Sequence, residues 1–580
     1  MTAPTPTASG LVRQRTAEFD TIQEALEFAA QGATGLNFYS GRGQLVEVLP
    51  YRQLRAEAME LARGMLASGL VPGDRAALIA ETDGDFVRAF FACLYARLIP
   101  VPLPLPTTVG GKDGYIANLR RMIESAGAVA AIGPASLDGW LQAAVEGLPL
   151  KVQGAVAAFA GVPAREVDLP AARASDLLYI QFSSGSTRFP LGVSVTQRAL
   201  MANARAISGD GLVTTAADRC VSWLPLYHDM GLVGFLLAPM LSQLSVDFIQ
   251  TREFARRPLQ WLDLITRNGG TISYSPTFGY ELCTRRAEGA PMDRLDLGTW
   301  RVAGVGGDMI RLGRLKSFSD TFAARGFRGS AFLASYGMAE ATLALSFAPL
   351  DVGLVTEHVD IDRLERSGAA VPPDAGTTRA RDFVRCGPAL PGHALEVRDG
   401  SGAVLPERRV GRIFARGPSL MEAYFGSPAE TQQVLSPDGW LDTGDLGFMA
   451  DGEIVITGRA KDLILVNGRN VWPQDLEWTI ENEVETMRTG DVVAFALDTA
   501  AEEQVVVLAQ CRASGRDERV ALRDEITRVI RARHSLEVSV TLVPPRALPQ
   551  TSSGKLSRAQ ARDFYSRGLF TAQEPPGLPG

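Results

Sequence analysis

Apolar positions along the first half of this chain switch repeatedly between the helical and the strand period. Thr21-Ile-Gln-Glu24 is a capping-box pattern and opens a helix that ends near Gly32. A second amphipathic helix is predicted over 51–68, stopped at Gly69, followed by a strand over 73–80 and a helix over 85–94. Such alternation predicts a parallel sheet with helices on both faces. The proline-dotted run 99–106 reads as an extended connector, and alternation resumes over 115–156.

The run 177–182 has strand character, as does 193–195, and 197–206 reads as a helix. Between the strands hangs a loop opening on Ser183, Ser184, Gly185, Ser186 and Thr187. Small residues let a backbone approach a ligand closely, and successive N–H groups with hydroxyls make an anion nest, so these five are candidate phosphate-binding residues. The loop is not that of the GTPases: no Gly-Lys-Ser/Thr follows, and a strand comes next. An ordinary polar loop would have the same composition, so the rest of the chain must decide.

Four further segments place small, aromatic and acidic residues at turns. Trp223–Gly234 carries His228 beside Asp229, at a turn into an apolar helix. Residues 270–280 pass from a strand into a loop, 275–280. Gly307 and Asp308 stand at the end of a strand over 302–310, and Tyr336-Gly-Met-Ala-Glu340 ends another. Ligands of open α/β sheets bind beyond the carboxyl ends of strands, so these strand ends imply one shared cleft. A satisfied structural histidine is the plainer reading of His228 taken alone.

Beyond 349 the character changes. Residues 349–385 are charged, dotted with Pro and Gly, and weakly periodic, as a solvated surface insertion would be. Short β-like runs over 394–398, 411–416 and 452–457 suggest a small barrel-like subdomain, with Thr443-Gly-Asp445 between them. A domain boundary is placed at Gly458-Arg459, with Lys461 just after it. The remaining 459–580 are the size of a small domain. They contain a strand over 505–511, a helix over 519–534, a strand over 538–543, and Lys555 in a Gly/Ser-rich loop before a helix. The Pro/Gly-rich tail, about 566–580, reads as disordered.

Composition narrows the class. The 580 residues are 46% hydrophobic and 21% charged, which is globular and long enough for two or more domains. The net charge of −7 argues against a nucleic-acid partner. Cys93, Cys220, Cys283, Cys386 and Cys511 are scattered without a CxxC pair, which argues against a disulfide framework or zinc site and for a reducing compartment. The N-terminus lacks a signal pattern, and the longest apolar run, 230–241, is too short to span a bilayer and is interrupted by Pro239. A cytoplasmic protein without a transmembrane segment is expected. Lysine is scarce (Lys112, Lys151, Lys316, Lys461, Lys555) where arginine abounds, usage that suggests a GC-rich bacterial genome.

The phosphate loop, Tyr336-Gly-Met-Ala-Glu340, Thr443-Gly-Asp445, Gly458-Arg459 and Ser553-Gly-Lys555 occur in one order over the whole chain. Together they resemble the adenylate-forming superfamily of acyl-CoA synthetases, luciferases and peptide-synthetase adenylation domains. The similarity is closest to the fatty acyl-AMP ligases. Arg188 and Leu191 stand in the loop where other branches usually keep Gly and Lys, and 458–477 follows this branch's pattern. The long stretch after Thr342 falls where the branch carries an insertion that obstructs the CoA-using pose. Asp308, Trp472 and Phe182 replace an expected Glu, Tyr and Tyr, whereas Ala339 is common in this branch.

The resemblance implies an α/β fold. A large N-terminal domain, 1–458, would comprise two doubly wound αβ subdomains and the barrel-like one, with an insertion at about 349–385. A mobile, small α+β C-terminal domain, 459–580, would follow. The implied reaction is a medium- or long-chain fatty acid plus ATP giving acyl-adenylate and pyrophosphate, with Mg²⁺. The acyl group would then pass to the phosphopantetheine of a separate acyl carrier protein in a polyketide, peptide or lipid pathway. The chain has no Asp-Ser dipeptide, so no carrier is fused. By motif, Ser183 to Thr187 would cradle phosphates and Glu340 would hold Mg²⁺. Lys555 would bridge carboxylate and α-phosphate, and His228 would orient the acyl-phosphate junction. Asp445 and Arg459 would contact ribose. Tyr336, with Gly337 and Met338 after it, would stack on adenine, and Gly307 and Asp308 would border it. Lys461 would mark the hinge. The acyl tail needs an apolar tunnel, for which 230–241 and 278–282 are candidates. A fatty acyl-CoA ligase and a non-catalytic nucleotide sensor are the alternatives.

Overall fold

The computed structural model describes residues 14–106, 111–159, 167–183, 190–466, 468–498, 503–551 and 555–570. Buried β-rich runs assemble into an eight-stranded sheet. Its order is Ala344–Phe347, Phe332–Gly337, Val302–Val305, Ile272–Ser275, Arg219–Ser222, Ser245–Ile249, Gly35–Tyr39 and Leu45–Pro50. The interior pairs are parallel and the outermost pair at each edge is antiparallel. All four residues of Val302–Val305 are buried, as a parallel strand covered on both faces requires. A second, four-stranded parallel sheet runs Ile99–Leu103, Arg75–Ile79, Ala130–Ile132, Val152–Gly154. The helices start where capping side chains allow: Thr21, Asp83 and Thr196 accept from Glu24, Phe86 and Ala199 N–H groups.

The run expected as a connector is therefore an edge strand, Ile99–Leu103. The Ile99 N–H donates to Asp74 O at 2.8 Å. N–H groups of the same parity face the sheet, and Pro100 and Pro102 occupy the outward positions where no donor is needed. Two other expectations also change. Residues 277–280 are not loop: a helix, Thr277–Ala287, begins directly after Pro276. The weakly periodic stretch 349–385 is packed. It folds as the strand Thr356–Asp360, the helix Ile361–Ser367 and the strand Ala380–Val384, whose Val359, Leu364 and Phe383 share a buried cluster with Phe448 and Trp472.

The short β-like runs form a four-stranded antiparallel meander: Ala394–Arg398, Gly411–Arg416, Leu441–Ala450, Glu453–Arg459. Beyond it, Leu476, Ile480, Val507, Ile526 and Ile530 close a separate apolar core. Around that core lie a three-stranded sheet, Val492–Asp498, Glu503–Gln510 and Ser539–Val543, and the helices Pro473–Glu483 and Arg516–His534. The strand Val492–Asp498 was not read from the sequence. Of the segment expected as a disordered tail, 566–570 continues from the helix Arg558–Ser566, and Phe570 packs 6.1 Å from Phe564. Residues 571–580 lie outside the described residues.

Candidate active site

The strand ends converge at one point. Gly307 follows the strand Val302–Val305 with φ +75°, a left-handed conformation, and an added Cβ would stand 2.6 Å from Met230 Sδ. Its carbonyl accepts a hydrogen bond from the Lys555 ammonium, which arrives from the far end of the chain. Asp308, Asp229 and Asp445 surround that ammonium. Their charges work against burial, which nonetheless leaves the Lys555 pKa below its ordinary value. The turn carrying His228 is anchored by Trp223, which stacks on Phe254 at 3.9 Å and 7°. Such pairs contribute about 0.5–1.5 kcal/mol beyond burial.

His228 Nδ1 lies 2.5 Å from Asp229 Oδ1. The Met230 N–H donates to both, to His228 Nδ1 at 3.3 Å and to Asp229 Oδ1 at 2.7 Å. Burial pushes the Asp229 carboxyl up, but His228 and the Met230 N–H outweigh it and hold it below the ordinary range. Glu340 is buried; desolvation raises its pKa against a hydrogen bond from the Tyr424 hydroxyl, 2.8 Å from Oε1. Across the cleft the Tyr336 hydroxyl donates to Asp445 Oδ2 at 2.8 Å, and Arg459 Nε stands 3.6 Å from Oδ1. Antiparallel pairing sets Asp445 opposite Arg459. Loss of solvent around its ammonium, with the repulsion of Arg459, pushes Lys461 down to about 8. Among the described residues no three His, Cys, Asp or Glu side chains gather as a metal cluster.

Two cavities meet here. One, of about 290 Å³, is faced by Ser183, His228, Glu340, Met338, Lys461 and Lys555 at its polar end. Its other end is apolar, walled by Phe235, Ala238, Pro239, Tyr274 and Phe347. The second, of about 450 Å³, holds Asp308 and opens between Arg311, Trp478 and Glu481. Gly307, Tyr336, Gly337, Asp445, Arg459 and Lys555 face both. Of the two apolar runs proposed for a tunnel, Met230 to Pro239 does line the first cavity, whereas Phe278 and Leu282 line the second. The first run is not a plain α-helix: Leu232–Leu237 is a π-helical stretch, and Ala206–Gly211, also π-helical, lies against the same cavity.

Ser184, Gly185, Ser186 and Thr187 lie outside the described residues. Ser183 closes the hairpin of Leu177–Phe182 and Gly192–Thr196, its N–H donating to Leu191 O at 2.9 Å. The sequence reading missed Tyr424, Tyr274 and Phe347. Tyr424 sits beside Phe425 in a mixed run, Leu420–Phe425, that carries no distinct signal. The other two come from separate strands and meet through packing alone.

The pattern of the AMP-binding enzyme family matches residues 38–425. The chain is 57% identical to a protein of Caulobacter vibrioides (strain NA1000 / CB15N) provisionally named an acyl-CoA synthetase, over 98% of each. It is 29% identical to the medium-chain-fatty-acid–[acyl-carrier-protein] ligase JamA of Moorena producens (strain JHB), over 96% of this chain and 97% of that one. A solved structure from a study of fatty acyl-adenylate ligases of E. coli and L. pneumophila superimposes with a TM-score of 0.91 at 44% identity. It covers 97% of this chain and 100% of its own. With its motifs at one cleft and the family pattern across most of the large domain, the chain belongs to the AMP-binding, adenylate-forming enzymes.

Proposed function

We propose that this enzyme activates a medium- or long-chain fatty acid with ATP and passes the acyl group to the phosphopantetheine thiol of a separate acyl carrier protein. One observation carries the reading. The Lys555 ammonium lines the first cavity at Gly307, which also abuts Met230 at the start of the apolar run, so a carboxylate at the head of a bound chain would come to rest beside it. A carboxylate oxygen attacks the α-phosphorus; the new acyl–O–P bond forms as the bond to pyrophosphate breaks. Catalysis of this kind is positioning and charge neutralisation. Lys555, a compact cation on a flexible stem, draws carboxylate and phosphate together. His228 orients the junction by donating from Nε2, with Asp229 beside its other ring nitrogen. Asp445 takes the ribose hydroxyls beside Arg459. Tyr336 and Gly307 enclose the adenine, and Ser183 to Thr187 the outer phosphates.

The residues present fit Mg²⁺. Glu340 offers one buried carboxylate of hard oxygens whose desolvation a cation would relieve, the remaining ligands being phosphate and water. Bound there, Mg²⁺ would neutralise charge on the departing pyrophosphate.

Residues 459–580 act as a mobile small domain that brings Lys555 for the first step and withdraws it for the second. Release to a carrier rather than to CoA is supported by the name of the Moorena relative. In the segment 349–385 Arg379 pairs with Glu365 at 2.7 Å, and Glu365 also takes Arg469 of the small domain at 2.5 Å, ties that the swing before acyl transfer must break. A CoA ligase is the second reading, favoured by the name of the Caulobacter relative. The test is turnover of a fatty-acid ladder with ATP and Mg²⁺, with and without CoA, separating acyl-AMP from acyl-CoA. Acyl-AMP unaffected by CoA supports the proposal; ready acyl-CoA formation overturns it.

A further inference from the structure

The apolar cavity does not stop beneath the catalytic strand ends. It runs along the sheet to the opposite end, where Cys220 and Ile272, a paired position near the start of their strands, line it together with Leu212 and Thr214. Those last two flank Val213, which is exposed and held at φ +45°. A β-branched residue there is strained and persists only where its surroundings impose it. The surroundings are identifiable. Arg301 forms a two-pronged ion pair with Asp218, both contacts at 2.8 Å. The same guanidinium donates to the Leu212 carbonyl at 3.0 Å and lies 3.4 Å from that of Val213. Asp218 is held in turn by the Thr215 N–H and the Thr271 hydroxyl. From the other side the π-helical turn Ala206–Gly211 ends in bonds from Leu212 N–H to Ile207 O and from Thr214 N–H to Ser208 O, at 2.7 and 2.8 Å. Gly211 lets the Phe347 ring close the side wall; a Cβ there would collide with it.

We propose that Leu212–Val213–Thr214, clamped by Arg301 and Asp218, is the end wall of the acyl tunnel and sets the longest straight chain the enzyme accepts. The inference rests on the fatty-acid reading above. A methyl terminus reaching Leu212 gains apolar contact; one methylene more must displace a strained but clamped turn. Discrimination of this kind amounts to about 10- to 200-fold per methylene.

The test is acyl-AMP formation across a ladder of saturated acids by the wild type, Leu212→Ala, Leu212→Trp, and Arg301→Gln combined with Asp218→Asn, which removes both charges of the clamp together. For each folded variant the kcat/KM ratio is taken between the wild-type optimum and an acid about two carbons longer. Leu212→Ala and the clamp variant are expected to shift that ratio towards the longer acid by on the order of tenfold, and Leu212→Trp towards shorter ones. Wild-type ratios in Leu212→Ala would overturn the end wall, even if the other variants failed to fold. No acyl-AMP from the wild type with any acid would overturn the fatty-acid reading instead, and the wall with it.

Discussion

The Tyr336 hydroxyl donates to the Asp445 carboxylate at 2.8 Å, tying the ring expected against adenine to the acid expected on the ribose. The two motifs lie far apart in sequence and act as one unit. Tyr336→Phe keeps the ring and frees the carboxylate. A hydrogen bond to a charged group contributes about 1.5–3 kcal/mol, so KM for ATP should rise on the order of tenfold with kcat little changed. Steady-state kinetics check it; an unchanged KM would separate the two roles.

Lys555→Ala should remove adenylation by a factor on the order of a hundred or more, as loss of a preorganised charge at a reacting centre does. Stability should barely move, because among the described residues the ammonium makes one hydrogen bond, to Gly307 O, and burial already disfavours its charge. Pyrophosphate release together with a thermal melt checks both halves; wild-type release would remove Lys555 from the mechanism.

Tyr424→Phe leaves a buried Glu340 oxygen without its donor. An orphaned buried acceptor costs about 1–3 kcal/mol, readable in urea denaturation. The Mg²⁺ concentration giving half-maximal pyrophosphate release should also change. If neither moves, Tyr424 does not position Glu340.

Acid should loosen the small domain through His534. Burial, then the charges of Arg379, Arg469 and Arg533, push its pKa down to about 3 from an ordinary 6.5. Above 6.5 the ring is neutral whether the chain is folded or not, and this group adds no pH dependence. Below it the unfolded chain takes up a proton that the folded one refuses, so stability falls with pH, by up to about 1.4 kcal/mol per unit until pH nears 3. Denaturation midpoints at about pH 7.5 and about pH 5.5 should differ less in His534→Gln than in the wild type. Equal differences would exclude His534 as the source.

What was legible in the sequence follows from what is local. Thr21 with Glu24, or Gly69 after a helix, act within a few residues and could be read directly. The motif residues could be placed because strand ends of a parallel sheet must share a face. Ile99–Leu103 was hidden because proline looks like a strand breaker until one knows which N–H groups point outward. The segment 349–385 was hidden because its apolar residues, Val359 and Phe383, are buried by Phe448 and Trp472, which lie far along the chain. Tyr274 and Phe347 come together across the sheet, 6.2 Å apart, through pairings that no short-range pattern records.

Under the proposed function, Lys555 comes from a separately cored unit, and the catalytic centre would exist only in the docked fraction of molecules. Apparent affinity for substrates that need Lys555 is then the intrinsic affinity multiplied by that fraction. The Arg379–Glu365–Arg469 cluster, away from the cleft, and the Arg311–Glu481 pair at its mouth would then tune turnover. Whatever shifts their balance by about 1.4 kcal/mol alters the docking equilibrium tenfold, with no atom of the substrate touched.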